Sequence, residues 1–432
     1  MSDTVSEVKP LSIKQNMLWN TVGSLTNLGC QWIITVLIVR MSDDFNAAGV
    51  YSLAVSIFTM FSQIAQYRTY TIQVSDVSKE NTAGEYLSFR LLTCSIALVV
   101  IMVYSVFTCR SETLIAILLF SLYKIVGLVI DVFHASDQVA HRMDYIGKSL
   151  ILQGLGSLVS FVLIYGVTGC LELTLLVMLL MTLLVALLFD IKKTGKIADL
   201  RIGITPVKAI HLLVSCASVV LAGIAISSAS SLPRQYLSFT CGDSALGIYT
   251  SVAAPVAVIQ MGASYIYNPL MGYFSEAYAD KDFNKFRRLM MSAIVGILVV
   301  GAVASFGLFL LGTPLLVLVY GASIADYSYL LQPLVLCAVL TGAMWFINDL
   351  LIALRNFKAT FLGSVGALVA AALTMVWAQS VFGLNGVTIS TSISCLTGLA
   401  IMVASLYRQL SRVRKCNELG EDFSNVEDNA CK

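Results

Sequence analysis

Ser121, Lys124, Asp131, His134 and Gln138 recur along the stretch LIAILLFSLYKIVGLVIDVFHASDQV, one of the most apolar in the chain. At helical spacing they fall within an arc of roughly 140°, while Leu122, Val126, Val129 and Phe133 cover the opposite side. An ammonium near the middle of such a stretch costs about 2.5 to 3.5 kcal/mol on membrane-insertion scales. Lys124 therefore needs a reason to be there. A compact ammonium suits an anionic phosphate; the alternative is a buried ion pair with Asp131, or with Asp349 from another segment. Lys124 and Asp131 stand two turns apart, about 10 Å along a helix axis, so neither satisfies the other without help from a neighbouring element.

Other polar residues share this logic. Asn20, Ser24, Asn27 and Gln31 are spaced four, three and four residues apart, one stripe on a helix. Such a stripe either lines a wet cavity or joins helices by hydrogen bonds. Further along, Trp345, Asn348 and Arg355 share a face with Asp349 beside them, and a carboxylate there could carry a proton or a cation. Arg90 and Arg288 open two other apolar stretches. Their guanidiniums could receive a diphosphate bidentately, or else snorkel to lipid headgroups.

The elements that must position these residues are membrane helices. Of 432 residues 58% are hydrophobic and only 12% charged, with a mean hydropathy of +0.84, against about 25% charged in a soluble domain. Continuous apolar runs of spanning length occur at 17–39, 46–66, 91–109, 113–133, 148–166, 171–190, 208–229, 245–266, 290–312, 330–352, 359–379 and 385–407. Barrel strands would alternate instead. The expected fold is all-α, a polytopic bundle of about twelve spans.

Charge sets the orientation. With the N-terminus in the cytoplasm, 23 of the 27 Lys and Arg fall inside, Arg40, Arg110 and Arg234 fall outside, and Lys124 lies within a span. That partition follows the positive-inside rule and predicts both ends cytoplasmic. The first apolar run is too long for a cleavable signal peptide. Basic inner segments, KKTGK, KDFNKFRR and RQLSRVRK, suit anionic membrane lipids. The acidic tail reads as disordered.

The composition also excludes functions. Ten scattered cysteines without CxxC pairs read as small hydrophobes, and three histidines lack ligand spacing. No Walker sequence and no GxGxxG is present. No cofactor, metal or nucleic-acid partner is expected.

One phrase occurs twice. AGVYSLA, from Ala48, opens the second span and LGIYTSV, from Leu246, opens the eighth, with GVYS and GIYT separated by 198 residues. The same offset sets FRLL at Phe89 opposite RRLM at Arg287, pairing Arg90 with Arg288. Duplication follows. Because six spans per half is even, the halves should be parallel repeats about an axis along the membrane normal, as in transporters. The expected organisation is an N-terminal six-helix lobe over 1–191, a cytoplasmic linker over 192–208, a second lobe over 209–408 and a tail over 409–432, with a central cleft between the lobes.

The order of several phrases adds a family. WNTVGSL, AAGVYSLAVSI, YRTYTIQVSD and EYLSFRLL in the first half, with PRQYL, ALGIYTSVAAP and YNPLMGYFSEAYADKDFNKFRRL in the second, resemble bacterial polysaccharide flippases of the Wzx type. In the family pattern Pro-Arg-Tyr is contiguous; here Gln235 separates Arg234 from Tyr236. The resemblance implies membership of the multidrug/oligosaccharidyl-lipid/polysaccharide exporter superfamily, with alternating access between two lobes. It implies no enzyme activity. It also implies a cargo, an undecaprenyl-diphosphate-linked oligosaccharide moved to the outer face of the bacterial plasma membrane, and as partners a polysaccharide polymerase and a chain-length regulator. Two other readings compete: a cation-coupled drug or metabolite antiporter of the same superfamily, and a membrane polymerase.

Overall fold

The structure is a computed structural model that describes residues 9–42, 45–76 and 80–419, and among these the chain is helical throughout, with no strand. Among the described residues eleven helices are long and apolar enough to cross a membrane. The contacts divide the chain into two compact units, Met1–Ser251 with Val319–Gly321, and Val252–Leu318 with Ala322–Lys432.

The first unit begins with α1 (Ile13–Arg40), whose start is fixed by a capping box between Ser12 and Gln15. Helices α2 (Asn46–Gln66), α4 (Ala83–Thr108), α5 (Leu114–Val139), α6 (Met143–Thr168) and α7 (Leu171–Val185) follow, with a short helix α3 (Thr69–Ser75) where the sequence suggests an inner loop. Tyr67 and Arg68, both left-handed, make the break before α3. Beyond α7 the chain widens into a π turn at Ala186–Asp190 and continues as α8 (Ile191–Thr194). The long α9 (Pro206–Cys241) and α10 (Asp243–Ala253) complete this unit. Glycines set the closest crossing. A Cβ on Gly23 would lie 2.5 Å from Gly147 Cα, and one on Gly147 2.3 Å from the Trp19 carbonyl, so α1 and α6 touch backbone to backbone.

The polar linker is strapped down. Gly84 lets the Arg201 carbonyl approach the first turn of α4, Ser88 accepts from Gly203 N at 2.7 Å, and Lys208 Nζ reaches Glu85 at 2.8 Å. Glu85 also closes the capping box with Thr82. One carboxylate thus starts α4 and holds the beginning of α9.

In the second unit the eighth expected span is not one helix. Pro255 sits in a 3₁₀ turn, Ala254–Val256, between α10 and α11 (Ala257–Tyr267). Its missing N–H and ring explain the break, and the twelve expected spans become eleven long helices and one divided one. Then come α12 (Met271–Ala279), α13 (Phe283–Tyr320), α14 (Leu331–Ala353), α15 (Phe357–Phe382) and α16 (Asn385–Leu419). Pro333 lies in the first turn of α14, where proline is tolerated, so it makes no kink. The outer loops expected near 230–244 and 313–329 are largely helical, since α9 and α13 run 36 and 38 residues. Likewise α16 continues past 407, while 420–432 lie outside the described residues.

The repeated phrase meets itself. Ser52 Oγ and Thr250 Oγ1 are 2.8 Å apart, at an offset of 198 residues. A Cβ on Gly49 would fall 1.7 Å from the Asp243 carbonyl oxygen, and one on Gly247 2.2 Å from that of Phe45. Gly247 and Asp243 stand at the 198-residue offset from Gly49 and Phe45, so each repeat presents to the other the contact it receives. That reciprocity is the mark of a twofold relation. One turn recurs after three helices: His141, Lys281 and Arg355 are left-handed, and the next residues close Schellman bonds, Arg142 N to Asp137 O at 2.8 Å, Asp282 N to Ala277 O at 2.9 Å and Asn356 N to Leu351 O at 2.8 Å.

Gly49→Ala drives a methyl into a backbone carbonyl and should cost about 3 kcal/mol or more. Gly29→Ala, with nothing within 4 Å of the added carbon, should be neutral or slightly stabilising. Thermal unfolding of both variants in the same detergent checks the contrast.

Candidate functional site

Lys124 sits half-buried on α5. Its ammonium donates to Gln31 Oε1 at 2.9 Å and lies 5.5 and 5.1 Å from the ring centroids of Phe120 and Tyr123. Phe120 is fixed by edge contacts with Tyr51 and Phe58, at 5.3 and 6.1 Å, and the Tyr123 hydroxyl is 3.2 Å from Ser157 Oγ. Among the described residues no carboxylate comes within 4 Å of Lys124. Neither ion pair considered from the sequence is formed. A cation bounded by one amide oxygen and two ring faces keeps its full charge uncancelled.

The stripe on α1 divides. Gln31 is the lysine's partner. Asn27 presses against α6, where a Cβ on Gly154 would lie 2.8 Å from its Cα. Asn20 is half-buried and Ser24 exposed, and neither makes a hydrogen bond among the described residues. Only the Gln31 end of the stripe is joined to a charge.

The two arginines paired by sequence differ. Arg90 is 1% exposed, and its Nη1 donates to the Ala65 and Gln66 carbonyls at 2.8 and 2.6 Å, the free acceptors at the end of α2. Thr93 adds a hydroxyl to the Ala65 carbonyl at 3.1 Å. The Arg90 guanidinium is a helix cap in this conformation. Arg288 lies in the second unit and is exposed on the first turns of α13. Equivalent sequence positions thus serve different physical ends.

Asp131 is half-buried, and among the described residues it makes no hydrogen bond or ion pair; His134 and Arg90 are the cationic groups that act on it. One turn further, His134 Nε2 faces Asp190 Oδ1 at 3.6 Å. Asp137, also buried, accepts from Thr194 Oγ1 at 3.0 Å. Asp137 and Asp190 escape the reading at 100° per residue. Asp137 lies outside the polar arc of α5, and the π turn shifts Asp190 out of the α register.

In the second unit Asp349 accepts from the Tyr267 hydroxyl at 3.0 Å and from Asn348 Nδ2 at 3.4 Å. Trp345 is 38% exposed. The structure therefore joins Asn348 to Asp349, as their adjacency suggests, and adds Tyr267 from α11. Gln235, the residue that interrupts the Pro-Arg-Tyr pattern, has its own place: Tyr104 donates to its Oε1 at 2.6 Å, and its Nε2 points to Ser56 Oγ at 3.5 Å. Among the described residues no three His, Cys, Asp or Glu side chains are grouped to hold a metal ion. Cys30, Cys94, Cys337 and Cys395 are buried and unbridged.

No protein-family model and no curated protein matches the chain. Solved structures do. A lipid II flippase MurJ in an inward closed conformation superposes with a TM-score of 0.71 at 14% identity, covering 90% of this chain and 87% of that one. An inward-facing multidrug resistance MATE family transporter of the MOP superfamily gives 0.68 at 13% identity, over 92% and 99% of the two chains. An outward-facing conformation of such a transporter gives 0.58 at 13%, over 96% and 99%. The chain shares the fold of these transporters.

Removing the Arg90 cap should be a stability defect. Arg90→Ala takes the charged donor from both carbonyls, of which Ala65 keeps Thr93 and Gln66 is left without a side-chain donor, and should cost about 1.5 to 3 kcal/mol, whereas Arg90→Lys keeps one charged donor and should cost less. Thermal unfolding of the purified variants reads the order.

Proposed function

We propose that the chain is a flippase that carries an undecaprenyl-diphosphate-linked oligosaccharide from the cytoplasmic to the outer face of a bacterial plasma membrane by alternating access. The carrying observation is Lys124: an ammonium within a span, held by a neutral amide and two aromatic faces. An anionic headgroup can exchange with the Gln31 oxygen and gain a charge-assisted bond in its place. The likeness to a lipid II flippase supports a lipid-linked cargo of this kind.

On this reading Lys124 is the headgroup contact, with Arg288 as a second, peripheral cation. Arg90 would join only in a conformation that frees it from the α2 carbonyls. Asn20, Ser24 and Asn348 are polar groups for the sugars, and Asp131 and Asp349 are the candidates for a coupling ion. Both chain ends lie in the cytoplasm, and the two repeats are the lobes that rock. A polymerase and a chain-length regulator would take the cargo at the outer face. The likeness to multidrug transporters favours a second reading, a cation-coupled antiporter, for which an uncancelled lysine is a poor fit to cationic drugs.

The test is deletion of the gene with complementation. Loss of surface polysaccharide, with complete lipid-linked repeat units accumulating on the cytoplasmic face and restored export on complementation, supports the flippase. Normal polymer with altered drug tolerance supports the antiporter. Lys124→Ala at equal protein abundance should lower export about 10- to 100-fold, the value of a hydrogen bond to a charged group. Unchanged export would remove Lys124 from the headgroup site.

A further inference from the structure

We propose that His134, Asp137 and Asp190 form a buried proton-binding site inside the first unit. The proposal deepens the transport reading by naming a coupling ligand and its residues, and it rests on that reading only for the use made of the proton.

Three observations converge. Asp190 is 1% exposed, and both of its oxygens lack a hydrogen-bond partner, as do Asp137 Oδ2 and His134 Nε2. The His134–Asp190 separation of 3.6 Å is an ion-pair distance just beyond a hydrogen bond. Finally, Asp190 closes a π turn, a rare element that is frequent at functional sites. A structural salt bridge would be expected to use its acceptors, because buried carboxylates without donors are costly. Here they are left open.

The surroundings define what can bind. Asp131 on the same helix and Asp144 on α6 are the other charges that act on the three residues, Arg90 on α4 acts on Asp131 only, and the Tyr70 hydroxyl on α3 donates to Gln138 Oε1 beside Asp137. Lys193, three residues after Asp190, lies instead over the Tyr145 ring at 5.6 Å. Thr194 supplies one donor, to Asp137. Imidazolium and two carboxylates sum to one negative charge. A single further proton on a carboxylate brings the cluster to neutrality: one O–H bond forms on the carboxylate and one breaks in the hydronium that delivers the proton, leaving water. Within the cluster a proton can pass from Nε2 to Asp190 Oδ1, leaving both groups neutral. A metal ion lacks its ligand set, since His134, Asp137 and Asp190, like every other His, Cys, Asp and Glu among the described residues, are not gathered closely enough for three of them to hold one ion.

Two interacting groups titrate in two macroscopic steps, and that is measurable without any substrate. The full chain, labelled with ¹⁵N-histidine and placed in lipid nanodiscs, has only three histidines; His141→Gln and His211→Gln assign the His134 signals. In the unsubstituted chain the His134 nitrogens should report two steps across the range of about pH 4 to 9. Asp190→Asn and Asp137→Asn each take one titrating partner from His134 and should shift or remove a step, and the two together should leave one. A single step in the unsubstituted chain, or two steps that survive both substitutions, overturns the site. Because the titration needs no cargo, an inactive flippase with a two-step His134 refutes only the transport reading, and an active one with a single step refutes only the site.

Discussion

Hydrocarbon solvates no charge, so every ionised group in a span must be answered from within the protein. Three answers appear in the first unit. Arg90 is answered by backbone, through two carbonyls that α2 cannot satisfy itself. Lys124 is answered by neutral partners that leave its charge intact. His134 and Asp190 answer each other across 3.6 Å, with acceptors to spare. The first is architecture; the other two hold electrostatic energy that a ligand can claim.

Helix α2 connects these places. At one end its Gly49 and Ser52 meet the second copy of the same phrase, close enough that a methyl would collide with backbone. In the middle Tyr51 and Phe58 brace Phe120, and so the ring beneath Lys124. At its far end the Arg90 cap holds the carbonyls from which the chain turns through Tyr67 and Arg68 into α3. From α3, Gln73 reaches Val132 O and Ser136 Oγ on α5, at 3.1 and 2.9 Å, beside His134 and Asp137. Displacing α2 would therefore be felt by the lysine and by the carboxylate cluster alike. Its apolar anchors, Ala54, Ile57 and Ala65, are fully buried, which makes it a rigid link.

What the sequence discloses follows from periodicity and offset. Apolar runs mark the helices because lipid demands them, and the 198-residue echo is legible because duplicated helices meet at equivalent residues. The stripe on α1 and the arc on α5 correctly place Gln31 and Lys124 on polar faces, though not against each other. Periodicity is silent about partners. Nothing in FRLL says that Arg90 caps a preceding helix while Arg288 stays exposed. Departures from α geometry hide more: the 3₁₀ turn at Pro255 divides a run that reads as one span, and the π turn at Ala186–Asp190 carries Asp190 out of phase.

The neutral partnership of Lys124 bears on what kind of cargo the proposed transporter can release as well as bind. Had Asp131 stood within 4 Å, an arriving anion would have had to break a salt bridge in low dielectric, where removing one partner costs about 3 to 5 kcal/mol. Against Gln31 it displaces a single neutral acceptor, and the amide can rotate to donate to the same anion, since Gln offers both functions. The barrier to entry and that to departure are both lowered. A carrier needs that symmetry more than it needs tight binding, because affinity that exceeds the differential between two conformations slows release without shifting the equilibrium between them.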